Sequence, residues 1–173
     1  MATLLAIKFG RNFFDSTKVR PGKRAQINRN SGAIMLTAYD LMTIDPITVK
    51  PDTPLLEVVA LMNKMGNRQL LVVADDGELV GIVTDRDVRL AVNSPLVTDE
   101  PLDRIQVLEQ HTAAECMTSD PKTISSDTPI HKVAQLLSAY KYGALPVVDD
   151  GQLVGIVTVT DLLNQMALLP EPD

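Results

Sequence analysis

The 173-residue chain is poor in the residues that build disulfides, metal clusters and aromatic cores. A single cysteine, Cys116, and two histidines, His111 and His131, exclude an intramolecular disulfide framework and a Cys-rich zinc site. Tryptophan is absent and aromatic residues make up 3%, so the core has to consist of aliphatic residues and Met. No apolar run approaches the roughly 20 residues of a membrane span, and no secretory leader is evident. We therefore expect a cytoplasmic protein without a membrane anchor.

Charge is divided unevenly along the chain. Residues 1–34 carry seven Lys and Arg against one acidic residue, a net charge of +6, whereas the remainder has a net charge of −12. Such an acidic body does not favour nucleic-acid binding. The basic arm, residues 1–35, is predicted to be a poorly ordered tail. An organellar targeting segment and a true start at Met35 are the alternatives.

Two copies of one pattern fill the rest of the chain. Residues 42–73 align with residues 117–148 at an offset of 75, and from Gly77 onward the offset is 74. The Asp-Thr-Pro triplet recurs at the first offset, and Leu-Val-Gly-Ile-Val-Thr recurs at the second. A duplicated unit of this kind sets the domain organisation. We predict repeat 1 at 36–93, a linker at 94–112, repeat 2 at 113–169 and a short tail at 170–173.

Each copy predicts a β-α-β-β-α unit of an α/β (α+β) fold. A Thr-Pro pair, Thr53-Pro54 in the first copy and Thr128-Pro129 in the second, predicts a helix N-cap followed by proline at the first helical position. The Asp-Gly pairs of both copies predict hairpins. The second helices are predicted at residues 85–92 and 159–167. Because a unit of about 55 residues buries too little surface alone, we expect the copies to pack as a pseudo-two-fold pair.

Four glycines carry specific expectations. Gly66 and Gly143 lie near the ends of the first helices and are predicted to reverse the chain there. Gly81 and Gly155 interrupt apolar strands, which a close approach of a ligand or of the facing repeat would explain. A bulge or tight strand–helix packing is the alternative. Within the linker, a short helix is predicted around residues 104–110.

The motifs of both copies resemble those of CBS domains. Met-Thr-x-x-Pro-x-Thr-Val stands at 42–49, and Gly-Ile-Val-Thr-x-x-Asp stands at 81–87 and again at 155–161. The resemblance covers residues 36–169 and implies a tandem pair, a Bateman module. It implies a regulatory, energy-sensing protein that binds an adenosyl ligand (AMP, ADP, ATP or S-adenosylmethionine) between the repeats. It also implies a disc-shaped homodimer that acts on a partner protein, here unknown.

The strand-to-helix corner of each copy is the candidate binding site, at Thr84 and Asp87 and at Thr158 and Asp161. A helix N-terminus favours phosphate. The Thr hydroxyl is a possible donor to a phosphate oxygen, and the carboxylate is a possible acceptor for both ribose hydroxyls. The alternative assigns Thr to an N-cap and Asp to a favourable first-turn acid.

Further candidates follow from the resemblance and from charge. Thr48 and Thr123 fall where the family lines the adenine pocket, or are ordinary strand residues. Between Thr and Asp of the corner, the first copy has Arg86 and the second has Thr160 as possible phosphate contacts. Arg68 and Lys141 are further basic candidates, with a solvated surface position as the alternative. Because positive charge is sparse, AMP, ADP or S-adenosylmethionine is favoured over ATP, and Mg²⁺ is needed only for a polyphosphate.

No nucleophile–base pair or metal-binding constellation is evident in the sequence, so we expect a non-catalytic protein. Cys116 is predicted to be a buried apolar residue. The alternative to a nucleotide-responsive regulator is a ligand-free interaction module that regulates a partner in trans. Binding of adenosyl ligands discriminates the two hypotheses.

Overall fold

The computed structural model describes residues 26–27, 34–92 and 101–168. Most of the basic arm, which is predicted to be poorly ordered, lies outside the described residues, and so does the short tail at 170–173. Within the arm, β1 (Gln26–Ile27) pairs antiparallel with β2 (Ile34–Met35).

Helices and strands follow the predicted order in both repeats, and the mixed α/β class is confirmed. Repeat 1 contains α1 (Ala38–Leu41), β3 (Thr43–Ile44), β4 (Thr48–Val49), α2 (Leu55–Met65), β5 (Gln69–Val73), β6 (Leu79–Thr84) and α3 (Asp85–Val92). The predicted linker contains α4 (Pro101–Gln110). Repeat 2 contains α5 (Ala113–Cys116), β7 (Thr118–Ser119), α6 (Ile130–Tyr140), β8 (Ala144–Asp149), β9 (Gln152–Thr158) and α7 (Val159–Ala167). The predicted second helices agree with α3 and α7 residue for residue.

The two repeats exchange their first short strands. One sheet has the order β4-β5-β6-β7 and the other has the order β3-β9-β8. Thus β7, from repeat 2, pairs antiparallel with β6 of repeat 1, with Thr118 opposite Ile82. In the same way β3, from repeat 1, pairs with β9, with Thr43 opposite Ile156. Each sheet is therefore completed by the other repeat, which joins the halves through backbone hydrogen bonds.

The short helices that precede these strands are exchanged as well. Ala38 of α1 is buried in the core of repeat 2, and Ala113 of α5 is buried in the core of repeat 1. The backbone N–H of Leu55 donates to the carbonyl of His111 at 2.9 Å, and that of Ile130 donates to Leu36 at 2.9 Å. The first N–H group of each long helix is thus satisfied by backbone from just before α5 or just before α1, the short helices that are exchanged.

This exchange makes the predicted threonine N-caps wrong. The N-cap positions are Pro54 and Pro129, and neither helix has a side-chain cap. Instead the Oγ1 of Thr53 accepts a hydrogen bond from the Lys50 N–H at 3.0 Å, inside the preceding turn. A backbone carbonyl group from outside the helix therefore accepts the hydrogen bond of the first helical N–H, and the threonine hydroxyl caps neither helix.

In the part of the chain that the structure describes, apolar side chains form three clusters. One cluster is the core of repeat 1, around Leu55, Leu70 and Val83, and a second is the core of repeat 2, around Leu145 and Val157. The third lies between the two sheets and joins the repeats; it consists of Leu71, Ala144 and Ile156, with Leu79, Ile82 and Leu153 packed against them. This inter-repeat cluster flanks the site described below.

The close approach expected at Gly81 and Gly155 comes from the facing repeat. A Cβ on Gly81 would lie 2.3 Å from the Sδ of Met117, and one on Gly155 would lie 2.7 Å from the Sδ of Met42. Both methionines immediately precede an exchanged strand. In β5 and in β8 the strand register shifts directly after the residue that pairs with the glycine. A bulge is therefore present as well.

Helix ends differ between the copies. Gly66 ends α2 with φ of +69°, as predicted, but the left-handed residue after α6 is Lys141, with φ of +59°. The prediction that Gly143 reverses the chain is therefore wrong by two residues. A lysine holds a conformation that normally favours glycine.

The first strand of the second copy is reduced to one bridge. In repeat 1, β4 pairs parallel with β5, with Thr48 opposite Leu71. In repeat 2, only Ile124 pairs with Val147. Pro146 stands where the first copy has Leu71 and has no N–H to extend the ladder. The first strand of the predicted β-α-β-β-α unit is therefore shortened in repeat 2.

Candidate functional site

A cleft opens between the two repeats at the corner of β6 and α3. Repeat 1 contributes this corner and the edge of β5 and β6; repeat 2 contributes β7, the turn after it, and the segment that leads from α6 into β8. The lining residues are Gln69, Ile82, Thr84 and Asp87 from repeat 1 and Thr118, Asp120, Pro121, Lys122, Lys141, Tyr142, Gly143, Ala144 and Pro146 from repeat 2. The structure therefore brings Thr84 and Asp87 together with Lys141. It does so because β7 crosses to pair with β6.

Thr84 and Asp87 form a reciprocal capping box at the start of α3. The Thr84 N–H and hydroxyl both donate to Oδ2 of Asp87, at 2.8 and 2.7 Å. The Asp87 N–H donates back to the Thr84 hydroxyl oxygen at 3.3 Å. Two N–H groups at the helix start are thereby satisfied, as a capping box requires.

This geometry limits what each side chain offers to a ligand. The single proton of the Thr84 hydroxyl is directed to Asp87, so the hydroxyl is not oriented to donate to a phosphate. The Asp87 carboxylate uses Oδ2 for the box, and no described residue donates to Oδ1. That oxygen has two lone-pair sites, enough to accept from two vicinal hydroxyls. The corner is thus fitted for a sugar diol.

The second corner repeats this arrangement. At the start of α7, the N–H and hydroxyl of Thr158 donate to Oδ2 of Asp161, each at 2.7 Å. The Asp161 N–H donates back to the Thr158 hydroxyl oxygen at 3.2 Å. Both candidate pairs therefore adopt the N-cap arrangement that we considered as an alternative, and each keeps one carboxylate oxygen outside it.

Two further capping boxes occur outside the cleft. One joins Thr37 to Asp40 and the other joins Thr112 to Glu115. The pKa of the Glu115 carboxyl is held below its ordinary value, first by the Thr112 N–H and then by His111. The Thr-x-x-acid spacing is therefore a general way for this chain to begin a helix. What sets Thr84 and Asp87 apart is their position in the cleft.

Two lysines line the cleft with exposed side chains, Lys122 and Lys141. Neither forms an ion pair with any residue that the structure describes. The segment that carries Lys141 is held by neighbours, since the rings of Tyr140 and Tyr142 stack with centroids 5.4 Å apart. Tyr142 itself lines the cleft, so an aromatic surface lies close to the lysine.

The other predicted site residues do not line this cleft. Arg86 is exposed on the first turn of α3 and is not a lining residue. Arg68 is exposed, and its carbonyl accepts the Asp85 N–H at 2.9 Å. Thr160 is exposed on the first turn of α7.

Of the two adenine-pocket candidates, Thr48 occupies a strand position and Thr123 does not. Thr48 lies in β4, paired to β5, and Thr123 is exposed next to the lining residue Lys122. Neither Thr48 nor Thr123 lines the cleft. Sequence reasoning missed Lys122 and Tyr142, which become lining residues only through the crossing of repeat 2 onto repeat 1. The signal in the sequence was that the first copy has neither a lysine nor a tyrosine at the equivalent positions.

Cys116 packs against the core of repeat 1 as a half-buried side chain. Burial raises the pKa of its thiol, and the charges of Glu115 and Asp87 raise it further. A thiol kept protonated in this way is a poor nucleophile. Across residues 34–92 and 101–168, no three His, Cys, Asp or Glu side chains are grouped to hold a metal ion. No described helix combines the length and apolarity needed to cross a bilayer.

Proteins from other organisms are similar to this chain in sequence. A CBS domain-containing protein of Dictyostelium discoideum is 38% identical over 133 residues, which are 76% of this chain and 92% of that protein. Inosine-5′-monophosphate dehydrogenase of Mycobacterium tuberculosis is 37% identical over 124 residues, but these are 21% of the dehydrogenase.

Solved structures of similar fold include two with bound ligands. The structure of CBSX2 in complex with AMP matches with a TM-score of 0.67 and 29% identity, over 79% of this chain and 99% of that one. A CBS domain pair in complex with 5′-methylthioadenosine and S-adenosyl-L-methionine matches with a TM-score of 0.66 and 28% identity, over 77% of this chain and 97% of that one. The CBS domain model matches residues 38–94 and again residues 113–168. The chain therefore belongs to the CBS domain family and contains a tandem pair of these domains.

Proposed function

We propose that this CBS pair is a non-catalytic regulatory module that binds an adenosyl nucleotide in the cleft between its repeats. The observation that carries the proposal is the position of Asp87. Its carboxylate lines an inter-repeat cleft with one oxygen outside the capping box. The similar CBS pairs solved with AMP and with S-adenosyl-L-methionine support an adenosyl ligand.

The cleft offers a partner for each part of such a ligand. Asp87 accepts from the ribose hydroxyls, and Ile82, Ala144 and Pro146 supply an apolar surface for the base. Tyr142 adds an aromatic face, on which a purine stacks favourably. The lysines at the rim are the groups for a phosphate.

A ligand in this cleft contacts both repeats at once. Asp87 belongs to repeat 1, whereas Lys122 and Tyr142 belong to repeat 2, and the exchanged strands connect the two. Binding therefore favours the relative position of the repeats in which all contacts are made. We propose that a partner protein recognises this position and that the module regulates the partner in trans.

The module is further proposed to act as a homodimer in the cytoplasm. Apolar side chains are exposed on its second helices: Leu90 is 63% exposed, Leu163 is 59% exposed and Met166 is 63% exposed. Burying them against a second copy would remove apolar surface from water. Sedimentation equilibrium decides this point, and a monomer at micromolar concentration rejects it.

Isothermal titration with AMP, ADP, ATP and S-adenosylmethionine tests the proposed function. One of these ligands is expected to bind and to stabilise the fold, by about 2.7 kcal/mol at one hundred times its Kd. Asp87→Ala is expected to abolish binding. Because Asp87 also caps a helix, Asp40→Ala is the matched control, since it removes the same kind of box outside the cleft.

Loss of binding in Asp87→Ala together with full binding in Asp40→Ala supports a ligand role for Asp87. Equal effects of the two variants would show that Asp87 acts only through the helix. If wild-type protein gives no heat and no thermal shift with any of the four ligands, the ligand-free interaction module becomes the better explanation.

A further inference from the structure

The internal repeat allows the cleft to be compared with its own counterpart. The exchanged strands pair in the same register in both halves, since Thr118 faces Ile82 as Thr43 faces Ile156. The corners also match: Asp85 donates its N–H to the carbonyl of Arg68, and Val159 donates to that of Gly143. A residue that lines the first cleft therefore has an identifiable equivalent beside Thr158 and Asp161.

The carboxylates are the same in the two clefts but the cations are not. Asp87 and Asp120 of the first cleft correspond to Asp161 and Asp45 of the second. Lys122 and Lys141, however, correspond to Ile47 and Gly66, at the offset of 75. The second cleft has one cation of its own, Arg68, where the first has Gly143.

We infer that the two clefts are functionally unequal and that the Thr84 cleft is the site for a phosphorylated adenosyl ligand, of the nucleoside mono- or diphosphate class. This inference rests on the proposed function and states which cleft is occupied and by which class. In the Thr84 cleft the charges of two lysines balance those of two carboxylates, so no net negative charge opposes a phosphate. In the counterpart, the equivalent positions carry two carboxylates and one arginine, and this net negative charge opposes a phosphate. S-adenosylmethionine has one carboxylate but also a sulfonium and an ammonium group, so two lysines favour it less than they favour a phosphate.

The conformation of Lys141 supports this assignment. The residue occupies the left-handed region at φ of +59°, where the first copy has Gly66 at +69°. A side chain there costs stability relative to glycine. The stacked tyrosines on either side hold the segment, so that Lys141 lines the cleft. An unfavourable backbone position is thus used to place a cation next to the site.

The test exchanges each lysine for the residue that its own repeat counterpart carries. Lys122→Ile and Lys141→Gly are compared with wild type in titrations with AMP and with adenosine, which lacks the phosphate. Each substitution is expected to weaken AMP binding about twofold to fivefold, the upper part of the range for an exposed charge–charge contact. Adenosine binding should change by less than about twofold, because an uncharged ligand has no contact to lose. Lys132→Ile, on the exposed face of α6, is the control for the change in net charge.

The binding stoichiometry provides a second readout. Wild type is expected to bind one AMP per chain with an affinity that falls as salt is raised, because exposed charge contacts are screened. Two equal AMP sites per chain, or equal losses for AMP and adenosine, would overturn the inference while leaving the proposed function intact. Binding of S-adenosylmethionine without binding of AMP or ADP would overturn the inference alone, whereas absence of binding by all four ligands of the earlier titration would overturn both.

Discussion

Replacing Gly81 with alanine is expected to force apart the strands that the two repeats exchange. The new Cβ would lie 2.3 Å from Sδ, 2.9 Å from Cγ and 3.1 Å from Cβ of Met117. Three consecutive atoms are involved, so rotating the end of the methionine is not sufficient, and either its whole side chain or β7 has to move. Such overpacking costs about 1–3 kcal/mol in the free energy of unfolding. For a chain of this size, this corresponds to about 2–4 °C in Tm for each kcal/mol.

A double-mutant cycle measures this effect directly. Urea unfolding is followed for wild type, Gly81→Ala, Met117→Ala and the double variant. Once Met117 is shortened, only its Cβ remains near the added methyl group, and alanine is a better strand residue than glycine by about 0.5–1 kcal/mol. Gly81→Ala is therefore expected to be nearly neutral in the Met117→Ala background, with a coupling energy of about 1–3 kcal/mol.

Gly155 provides the comparison within the same molecule. There the added Cβ would meet Sδ and Cγ of Met42 at 2.7 and 3.0 Å and also the Thr43 carbonyl oxygen at 3.0 Å. Because a backbone atom cannot be trimmed, Met42→Ala should rescue Gly155→Ala only in part. Wild-type stability of Gly81→Ala, or a coupling energy near zero, would refute the packing of β7 on β6 and with it the formation of the cleft.

Three other variants test local features of the structure. Lys141→Gly should raise the free energy of unfolding by about 0.5–1 kcal/mol, since relief of the left-handed strain exceeds the added entropy of the unfolded chain. A lower midpoint of urea denaturation would show instead that Lys141 makes stabilising contacts. Gly66→Ala should lower the free energy of unfolding by about 1 kcal/mol because φ is +69°, although nothing lies within 4 Å of the added Cβ. An unchanged midpoint of urea denaturation contradicts this. Because the pKa of Cys116 is raised, the unfolded chain loses its thiol proton first, so stability should fall as pH rises past the ordinary thiol pKa and towards the higher folded one. Cys116→Ala should remove that part of the pH dependence in urea titrations, and an identical slope in wild type and variant argues against it.

Much of the fold was accessible from the repeat. Matching 42–73 to 117–148 gave the order of strands and helices, and the Asp-Gly pairs gave the hairpins. The change of offset lies within the hairpin, where repeat 2 uses the two-residue turn Asp150-Gly151, both at positive φ. Signals of this kind are local, since turn chemistry and helical periodicity act over a few neighbouring residues.

The exchange of α1 with α5 and of β3 with β7 was not accessible. The exchanged strands are two residues long, too short for any hydrophobic period, and their pairing depends on backbone groups distant in sequence. The same exchange led to the error at Thr53, because the carbonyl of His111 replaces a side-chain cap. It also concealed Lys122, which reaches the cleft only because repeat 2 crosses to β6.

The threonine–acid pairs show how a structural motif and a site can share the same atoms. Four of the helices that the structure describes begin with such a pair, so the spacing alone indicates a helix start and not a ligand. The box uses one carboxylate oxygen and the hydroxyl proton, and it fixes the orientation of the remaining oxygen. At Thr37 and Asp40, where the Asp40 side chain is exposed, the box only stabilises the helix. Where the exchanged strand places a second wall opposite, as at Asp87, a fixed acceptor is held towards a cleft without further cost in conformational entropy. The selective feature is therefore the opposing wall, and the residues that distinguish the two clefts, Lys122 and Lys141, lie on it.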